Sequence, residues 1–200
     1  MRVLHVGASG HVGEAVGAAL RERGHEVVAA HRTSPEHPVD ITDPGSVERL
    51  FQEVGPGLDA VVCTAGSTPY VPWDELGREQ ILAGLASKFL GQVEVVRQGM
   101  GFVREGGSFT LTSGILGREP VRTGSVAAAV NGALEAWVRA SAGELWGRVR
   151  LNIVSATVLS VSREAYMSVM PGYPAVDPGE VGLAYARSVE SMDSGRVYML

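Results

Sequence analysis

Short apolar runs alternate along the chain with longer segments in which apolar residues return every three or four positions. An uninterrupted apolar run predicts a buried strand, and the three- to four-residue spacing predicts an amphipathic helix. Strands are predicted over residues 3–6, 26–30, 39–41, 58–64, 108–112, 149–154 and 196–199. Helices are predicted over residues 12–20, 44–54, 76–100, 127–145 and 178–190, which makes the chain an α/β protein.

Strands that are apolar throughout and separated by helices predict a parallel sheet that is covered on both faces. Right-handed crossovers reduce the topologies to a doubly wound one. We expect a single domain over residues 1–200, with about seven strands in the order 3-2-1-4-5-6-7. The segment 33–38 is short and rich in turn residues, so the second crossover helix is expected to be absent or vestigial.

Composition narrows the class of protein further. A chain of 200 residues with 45% hydrophobic and 20% charged residues is long enough to bury a sizeable core. A net charge of -5 without a basic block argues against nucleic-acid binding. The absence of a 20-residue apolar run or a secretory leader predicts a cytoplasmic protein without a membrane partner. The lone Cys63 is expected to be a core residue, and no metal site is predicted.

A glycine-rich turn joins the first predicted strand to the first predicted helix. Gly7 permits a tight turn, Gly10 lets a pyrophosphate approach the backbone, and Gly13 lets the helix pack closely on the sheet. The free N–H groups at the start of the helix favour an anion there. In this strand–turn–helix context the pattern predicts a dinucleotide-binding Rossmann fold.

The end of the second predicted strand bears on the choice of dinucleotide. NAD-binding versions of this fold place a carboxylate there for the ribose hydroxyls. This chain instead has Arg32 followed by Thr33 and Ser34, a cation beside hydroxyl groups that suits a 2′-phosphate. We therefore predict NADP(H) in preference to NAD(H), with a solvated surface arginine as the alternative role for Arg32.

These motifs together resemble the short-chain dehydrogenase/reductase family from one end of the chain to the other. Asp40 and Ile41 resemble the segment that holds adenine, residues 63–66 resemble the strand end beside the cofactor ribose, and Leu159 takes the position that contacts the nicotinamide carboxamide. The resemblance and the glycine turn predict cofactor contacts from Gly7, Ser9, Gly10, His11, Val12, Gly13, Arg32, Thr33, Ser34, Asp40, Ile41, Ala65, Gly66 and Leu159.

The sequence departs from the family at its catalytic pair. Family members carry Tyr-x-x-x-Lys, whose lysine lowers the pKa of a phenol that transfers a proton to the substrate carbonyl. Alignment places Ala127 and Asn131 at these two positions. The chain has one lysine, Lys88, and Gly84 stands four residues before it, so the motif occurs nowhere in the chain.

Two residues are predicted to replace the missing pair. Ser113 matches the catalytic serine of the family, with local backbone bonding as its alternative role. Lys88, the one lysine beside sixteen arginines, is expected to direct its ammonium toward Ser113. The alternative is that Lys88 caps the helix face or pairs with a carboxylate in water. Tyr166 or Tyr173 could supply a phenol. His5 and His11 are expected to be structural.

Three functions are compatible with these residues. The favoured one is an NADP(H)-dependent oxidoreductase that acts on a small carbonyl compound or alcohol. The second is a dinucleotide-binding sensor or scaffold without turnover, and the third is a non-redox isomerase or cyclase. A homodimer or homotetramer is expected through the two long helices, at about 76–100 and 127–145, as the resemblance implies.

Overall fold

A computed structural model describes residues 1–200 as one sheet of six parallel strands with helices on both faces. The strand order is β2-β1-β3-β4-β5-β6. The strands are β1 (Arg2–Val6), β2 (Glu26–Ala30), β3 (Leu58–Cys63), β4 (Val103–Thr112), β5 (Arg150–Ser155) and β6 (Val197–Met199).

Seven α-helices connect and cover these strands. They are α1 (His11–Glu22), α2 (Pro44–Val54), α3 (Arg78–Gly84), α4 (Gly91–Gly99), α5 (Ser125–Glu144), α6 (Arg163–Tyr166) and α7 (Pro178–Glu190). A π-helical turn, Leu85–Leu90, joins α3 to α4, so the predicted helix 76–100 is one continuous helical segment with a local widening. Two helices begin at the predicted residues, 44 and 178. In each, the side chain of the preceding aspartate, Asp43 or Asp177, caps the helix, and proline occupies the first helical position.

The prediction of a single doubly wound α/β domain is confirmed, and one predicted strand is wrong. Residues 39–41 form no strand, and only an isolated bridge joins His31 to Pro38. A parallel neighbour for β2 needs a crossover of a dozen or more residues, and the chain provides far fewer between Ala30 and Val39. The observed order is the predicted order without its third strand.

The sheet separates two apolar layers, and alternate residues of its strands enter each layer. Val3 and Val62 face the layer beneath α1 and α7. Leu4 and Val61 face the layer beneath α2, α4 and α5. Both faces of the central strands are therefore buried, which explains why most of their residues are apolar. No helix in the chain is both long and apolar enough to cross a membrane.

Candidate active site

Two adjoining cavities lie along the edge of the sheet where the parallel strands end. The larger has a volume of about 440 Å³ and the smaller about 340 Å³, and Gly10, Thr64 and Gly66 line both. Crevices at the carboxyl ends of the strands are where doubly wound proteins bind ligands. Of the predicted cofactor residues, the smaller cavity is lined by Gly7, Ser9, Gly10, Arg32, Asp40, Ile41, Ala65 and Gly66, and the larger by Gly10, His11, Val12, Gly13, Gly66 and Leu159.

The glycine turn has the geometry that the sequence predicts. Gly7 has φ +92°, and a Cβ on it would lie 2.5 Å from the backbone nitrogen of Ala65. A Cβ on Gly13 would lie 2.2 Å from the carbonyl oxygen of Gly7. Around Gly10 no atom comes closer than 4.0 Å to such a Cβ, and no side chain caps α1. The uncapped N–H groups and the space before them fit a pyrophosphate.

The smaller cavity carries a paired cation and anion. Asp40 accepts hydrogen bonds from the backbone N–H of Thr42 at 2.9 Å and from its hydroxyl at 2.7 Å. These bonds, with a smaller contribution from Arg32, hold the pKa of Asp40 below its usual value. The Nε of Arg32 lies 3.5 Å from Asp40 Oδ2, and its side chain is 75% exposed. The guanidinium is therefore free to turn toward a ligand.

Thr33 and Ser34 do not line either cavity. Ser34 is buried, and its Oγ accepts a hydrogen bond from the backbone N–H of His37 at 3.1 Å, which closes a turn. Thr33 is exposed, with its hydroxyl 3.4 Å from Nδ1 of His31. His31, which is not among the predicted cofactor residues, lines the smaller cavity beside Arg32. The signal in the sequence that could have identified His31 as a cavity residue is its position directly after β2.

Lys88 reaches into the larger cavity from the π-helical turn between α3 and α4. Its Nζ donates a hydrogen bond to the carbonyl oxygen of Ser113 at 3.3 Å. Burial lowers the pKa of Lys88 to about 8, against the opposing influence of Cys63 and Glu135. π-Helical turns occur often at functional sites. Lys88 and His11 are the basic side chains that line this cavity, and no carboxylate lines it.

Ser113 also lines the larger cavity, but its hydroxyl is engaged elsewhere. Its Oγ donates a 2.9 Å hydrogen bond to Oε1 of the buried Glu135. The same oxygen accepts bonds from Ser155 at 2.7 Å and from Arg118 at 3.1 Å. Three donors therefore stabilise this buried carboxylate. Sequence reasoning missed Glu135, whose only signal was a charge among the apolar positions of the predicted helix.

The tyrosine candidates lie in different surroundings. Tyr166 lines the larger cavity, and its ring meets that of Tyr70 edge to face with centroids 6.4 Å apart. Tyr70 also lines the cavity and was not among the predicted site residues. Tyr173 lies outside this cavity, and its hydroxyl donates to the carbonyl oxygen of Pro120 at 3.2 Å. The phenols of Tyr70, which follows β3, and of Tyr166 in α6 therefore both border the site.

The remaining reactive side chains occupy structural positions. His5 is fully buried, its Nε2 lies 3.0 Å from the hydroxyl of Thr64, and burial lowers its pKa to about 4. Burial likewise raises the pKa of the Cys63 thiol to about 12, which leaves the sulfur protonated and unreactive. Nδ1 of His11 lies 2.7 Å from Oγ of Ser162, so this side chain joins the glycine turn to the segment after β5.

The chain is similar to one described family and to several solved structures. Residues 7–174 match the family model described as enoyl-(acyl carrier protein) reductase. A comparison with curated proteins found no match. The crystal structure of the protein lin1944 from Listeria innocua is 36% identical, with a TM-score of 0.96, and the alignment covers 100% of this chain and 99% of that one.

Two further solved structures contain a nicotinamide dinucleotide. A small-chain dehydrogenase in complex with NADPH is 26% identical over 100% of this chain and 96% of its own, with a TM-score of 0.86. A short chain dehydrogenase from Burkholderia cenocepacia in complex with NADP is 22% identical over 100% of this chain and 95% of its own, with a TM-score of 0.84. The second of these supports the fold alone.

Proposed function

This chain belongs to the short-chain dehydrogenase/reductase family, and on that premise we propose that it is an NADP(H)-dependent oxidoreductase acting on a small carbonyl compound or alcohol. The observation that carries the proposal is the position of Lys88. Its Nζ lies in the wall of the larger cavity, 3.3 Å from the carbonyl oxygen of Ser113, although the family's Tyr–Lys pair is absent. A cation there can stabilise the negative charge that grows on a carbonyl oxygen as it is reduced.

The nicotinamide, when bound, supplies or accepts the hydride. The residues of the chain bind the cofactor, position the reacting groups and donate the proton. The glycine turn and the start of α1 would hold the pyrophosphate, Arg32 would bind the 2′-phosphate, and Leu159 would contact the nicotinamide. In this proposal Ser113 acts through its carbonyl, which positions the ammonium of Lys88, while its hydroxyl is bonded to Glu135. At a pKa of about 8, Lys88 can also donate a proton to the product oxygen near neutral pH.

A dinucleotide-binding protein without turnover is the second candidate. The hydrogen bond from Ser113 to Glu135 favours it, because a hydroxyl has one proton and this one is not offered to a ligand in the cavity. Under this alternative, NADPH would stabilise the fold and nothing would be reduced.

Hydride transfer is the measurement that separates the two candidates. NADPH and NADH binding would first be measured by calorimetry. NADPH deuterated at C4 would then be incubated with a panel of aldehydes and ketones, and the product alcohols analysed by mass spectrometry. Deuterium in a product supports the oxidoreductase. Tight binding with no labelled product from any panel member supports the second candidate.

We also propose that two copies of the chain associate through the helical segment 78–99 and α5. Ile81, Leu82 and Leu90 are 41%, 48% and 56% exposed on that segment. An apolar groove beside them is lined in part by Val126 and Ala129 of α5. Light scattering on the purified protein would measure the mass, and the double variant Ile81→Arg, Leu82→Glu should be monomeric. A monomeric parent protein would contradict the proposal.

A further inference from the structure

Glu135 places a carboxylate behind the wall of the larger cavity. The residue is 5% exposed on α5 and does not itself line the cavity. Its Oε1 accepts hydrogen bonds from the hydroxyls of Ser113 and Ser155, and Arg118 forms an ion pair with it. A neutral amide oxygen could accept the same hydrogen bonds without the cost of removing a negative charge from water. The charge of Glu135 therefore calls for a role beyond joining the ends of two strands.

Ser113 joins this carboxylate to the ammonium of Lys88. Its hydroxyl donates to Oε1 of Glu135 at 2.9 Å, and its carbonyl oxygen accepts from Nζ of Lys88 at 3.3 Å. Its backbone N–H donates to the carbonyl oxygen of Val154 at 2.8 Å. A cation from the π-helical turn and an anion from α5 are therefore bonded to the same residue. Because both groups are buried, their attraction is weakened less than it would be in water.

We propose that Glu135 is a positioning residue for Lys88, which fixes the Ser113 carbonyl that holds the ammonium and supplies the negative charge that favours the ammonium over the neutral amine. This inference rests on the proposed function, in which the charge of Lys88 stabilises the reacting oxygen. Glu135 lines neither cavity, so it acts through Ser113 and through its charge. A buried amine without an anion nearby would lose its proton at a lower pH.

The negative charge near Lys88 comes from Glu135. Burial lowers the pKa of Lys88 to about 8, and Cys63 and Glu135 oppose this effect. The Cys63 thiol carries no charge near neutral pH, because burial raises its own pKa to about 12. No carboxylate lines the cavity, whose other titratable side chains are His11, Tyr70 and Tyr166. Arg118 opposes the charge of Glu135, but its side chain is 32% exposed against 7% for Glu135, so water screens the guanidinium more.

The test measures the pKa of Lys88 by NMR titration of the protein grown with ¹³C-labelled lysine. Glu135→Gln keeps an acceptor oxygen and loses the charge, so it should lower the pKa of Lys88 by about one unit. Arg118→Met removes the cation that opposes Glu135, so it should raise the pKa of Lys88. Glu144→Gln is the matched control, because it removes an exposed carboxylate from the same helix, and it should leave this pKa unchanged.

Three results would contradict the inference. An unchanged pKa of Lys88 in Glu135→Gln would leave Glu135 as a structural partner of Arg118 and overturn it. A lower pKa in both Glu135→Gln and Arg118→Met would indicate looser packing around the amine, and it would also overturn the inference. Should Glu135→Gln fail to fold, Arg118→Met decides alone, and a pKa of Lys88 that does not rise in that variant would count against the role of Glu135.

Kinetics provide the second measurement once a substrate is found. In Glu135→Gln the fall of kcat at high pH should begin about one pH unit lower than in the parent protein, while the Kd for NADPH stays within about twofold. A residue with a purely structural role would change the stability without moving this pH profile. The NMR titration requires no turnover. A protein that gives the expected titration and transfers no deuterium would therefore contradict the proposed function and not the coupling of Glu135 to Lys88.

Discussion

The two cavities differ in how much of the family pattern they keep. The smaller cavity and the glycine turn depend on backbone N–H groups and on the absence of side chains, and they keep every glycine that the resemblance predicts. The larger cavity depends on side chains, and it is lined by Ala127 and Asn131, which the resemblance aligns with the catalytic pair. Backbone recognition tolerates few substitutions here, because a Cβ on Gly7 or Gly13 would collide with the protein backbone, and a Cβ on Gly10 would occupy the space in front of the helix N-terminus. A side-chain charge can instead come from another helix, as Lys88 does.

The strongest test of this contrast is Lys88→Met. If Lys88 supplies the charge at the reacting oxygen, kcat/KM should fall about 1000-fold, within the range known for acid–base and electrostatic groups. The Kd for NADPH should stay within about twofold, because Lys88 lies outside the smaller cavity. Arg97→Met is the matched control, since it removes an exposed cation from the neighbouring helix α4. Unchanged turnover in Lys88→Met would remove the basis of the proposed mechanism.

At the other cavity, Gly13→Ala should reduce NADPH affinity about 100-fold or more. Its Cβ would lie 2.2 Å from the carbonyl oxygen of Gly7, so the turn that holds the pyrophosphate would have to shift. Gly143→Ala is the control, because a Cβ at this helical position in α5 meets nothing within 4 Å. Calorimetry measures the Kd for NADPH of both variants. Parent-like affinity in Gly13→Ala would mean that the dinucleotide does not bind at this turn.

Arg32→Asp should shift the cofactor preference from NADPH toward NADH. Its effect on affinity should be smaller than that of Gly13→Ala. Losing a charge-assisted bond to the 2′-phosphate should weaken NADPH binding about tenfold or more, while the new carboxylate can accept bonds from the ribose hydroxyls of NADH. The control is Arg139→Asp, an exposed arginine on α5 with the same change of charge. The readout is the ratio of the Kd values for NADPH and NADH. An unchanged ratio would leave Arg32 as a solvated surface residue.

The mildest test changes pH and leaves the sequence intact. If the ammonium of Lys88 is needed, kcat should fall about tenfold for each pH unit above its pKa of about 8. Because Lys88 is the only lysine, ¹³Cε labelling of lysine gives one side-chain signal whose titration reports its pKa directly. A pKa close to the ordinary 10.5 would contradict the burial of the amine.

The stability of the folded protein should also depend on the protonation of Lys88. The pKa of Lys88 is lower in the folded chain than its ordinary value of 10.5, so between about 8 and 10.5 the unfolded chain binds more protons. The free energy of unfolding should therefore rise with pH over this interval on account of Lys88. Lys88→Met should lack this rise and should be more stable than the parent near neutral pH. Chemical unfolding at several pH values measures both effects.

Part of the fold could be derived from the sequence because its signals are local. Periodic apolar positions and the glycine turn act within a few residues. The helix starts predicted at 44 and 178 agree with the structure, and five of the six strands agree to within two residues at each end. The strand 39–41 was wrong because its apolar residues are buried beside the sheet without pairing in it. An apolar run shows that a segment is buried and does not show what it contacts.

What only the tertiary structure decided was which side chains meet. Ser113 lies 22 residues from Glu135 and 25 from Lys88, and the bonds among them exist because the end of β4 lies between two helices. The direction of the Ser113 hydroxyl and the position of the Lys88 ammonium both depend on such distant neighbours. The sequence by itself determined the layers and the anion-binding turn, because periodicity and glycine act locally. The chemistry of the larger cavity depends on packing between elements far apart in the chain.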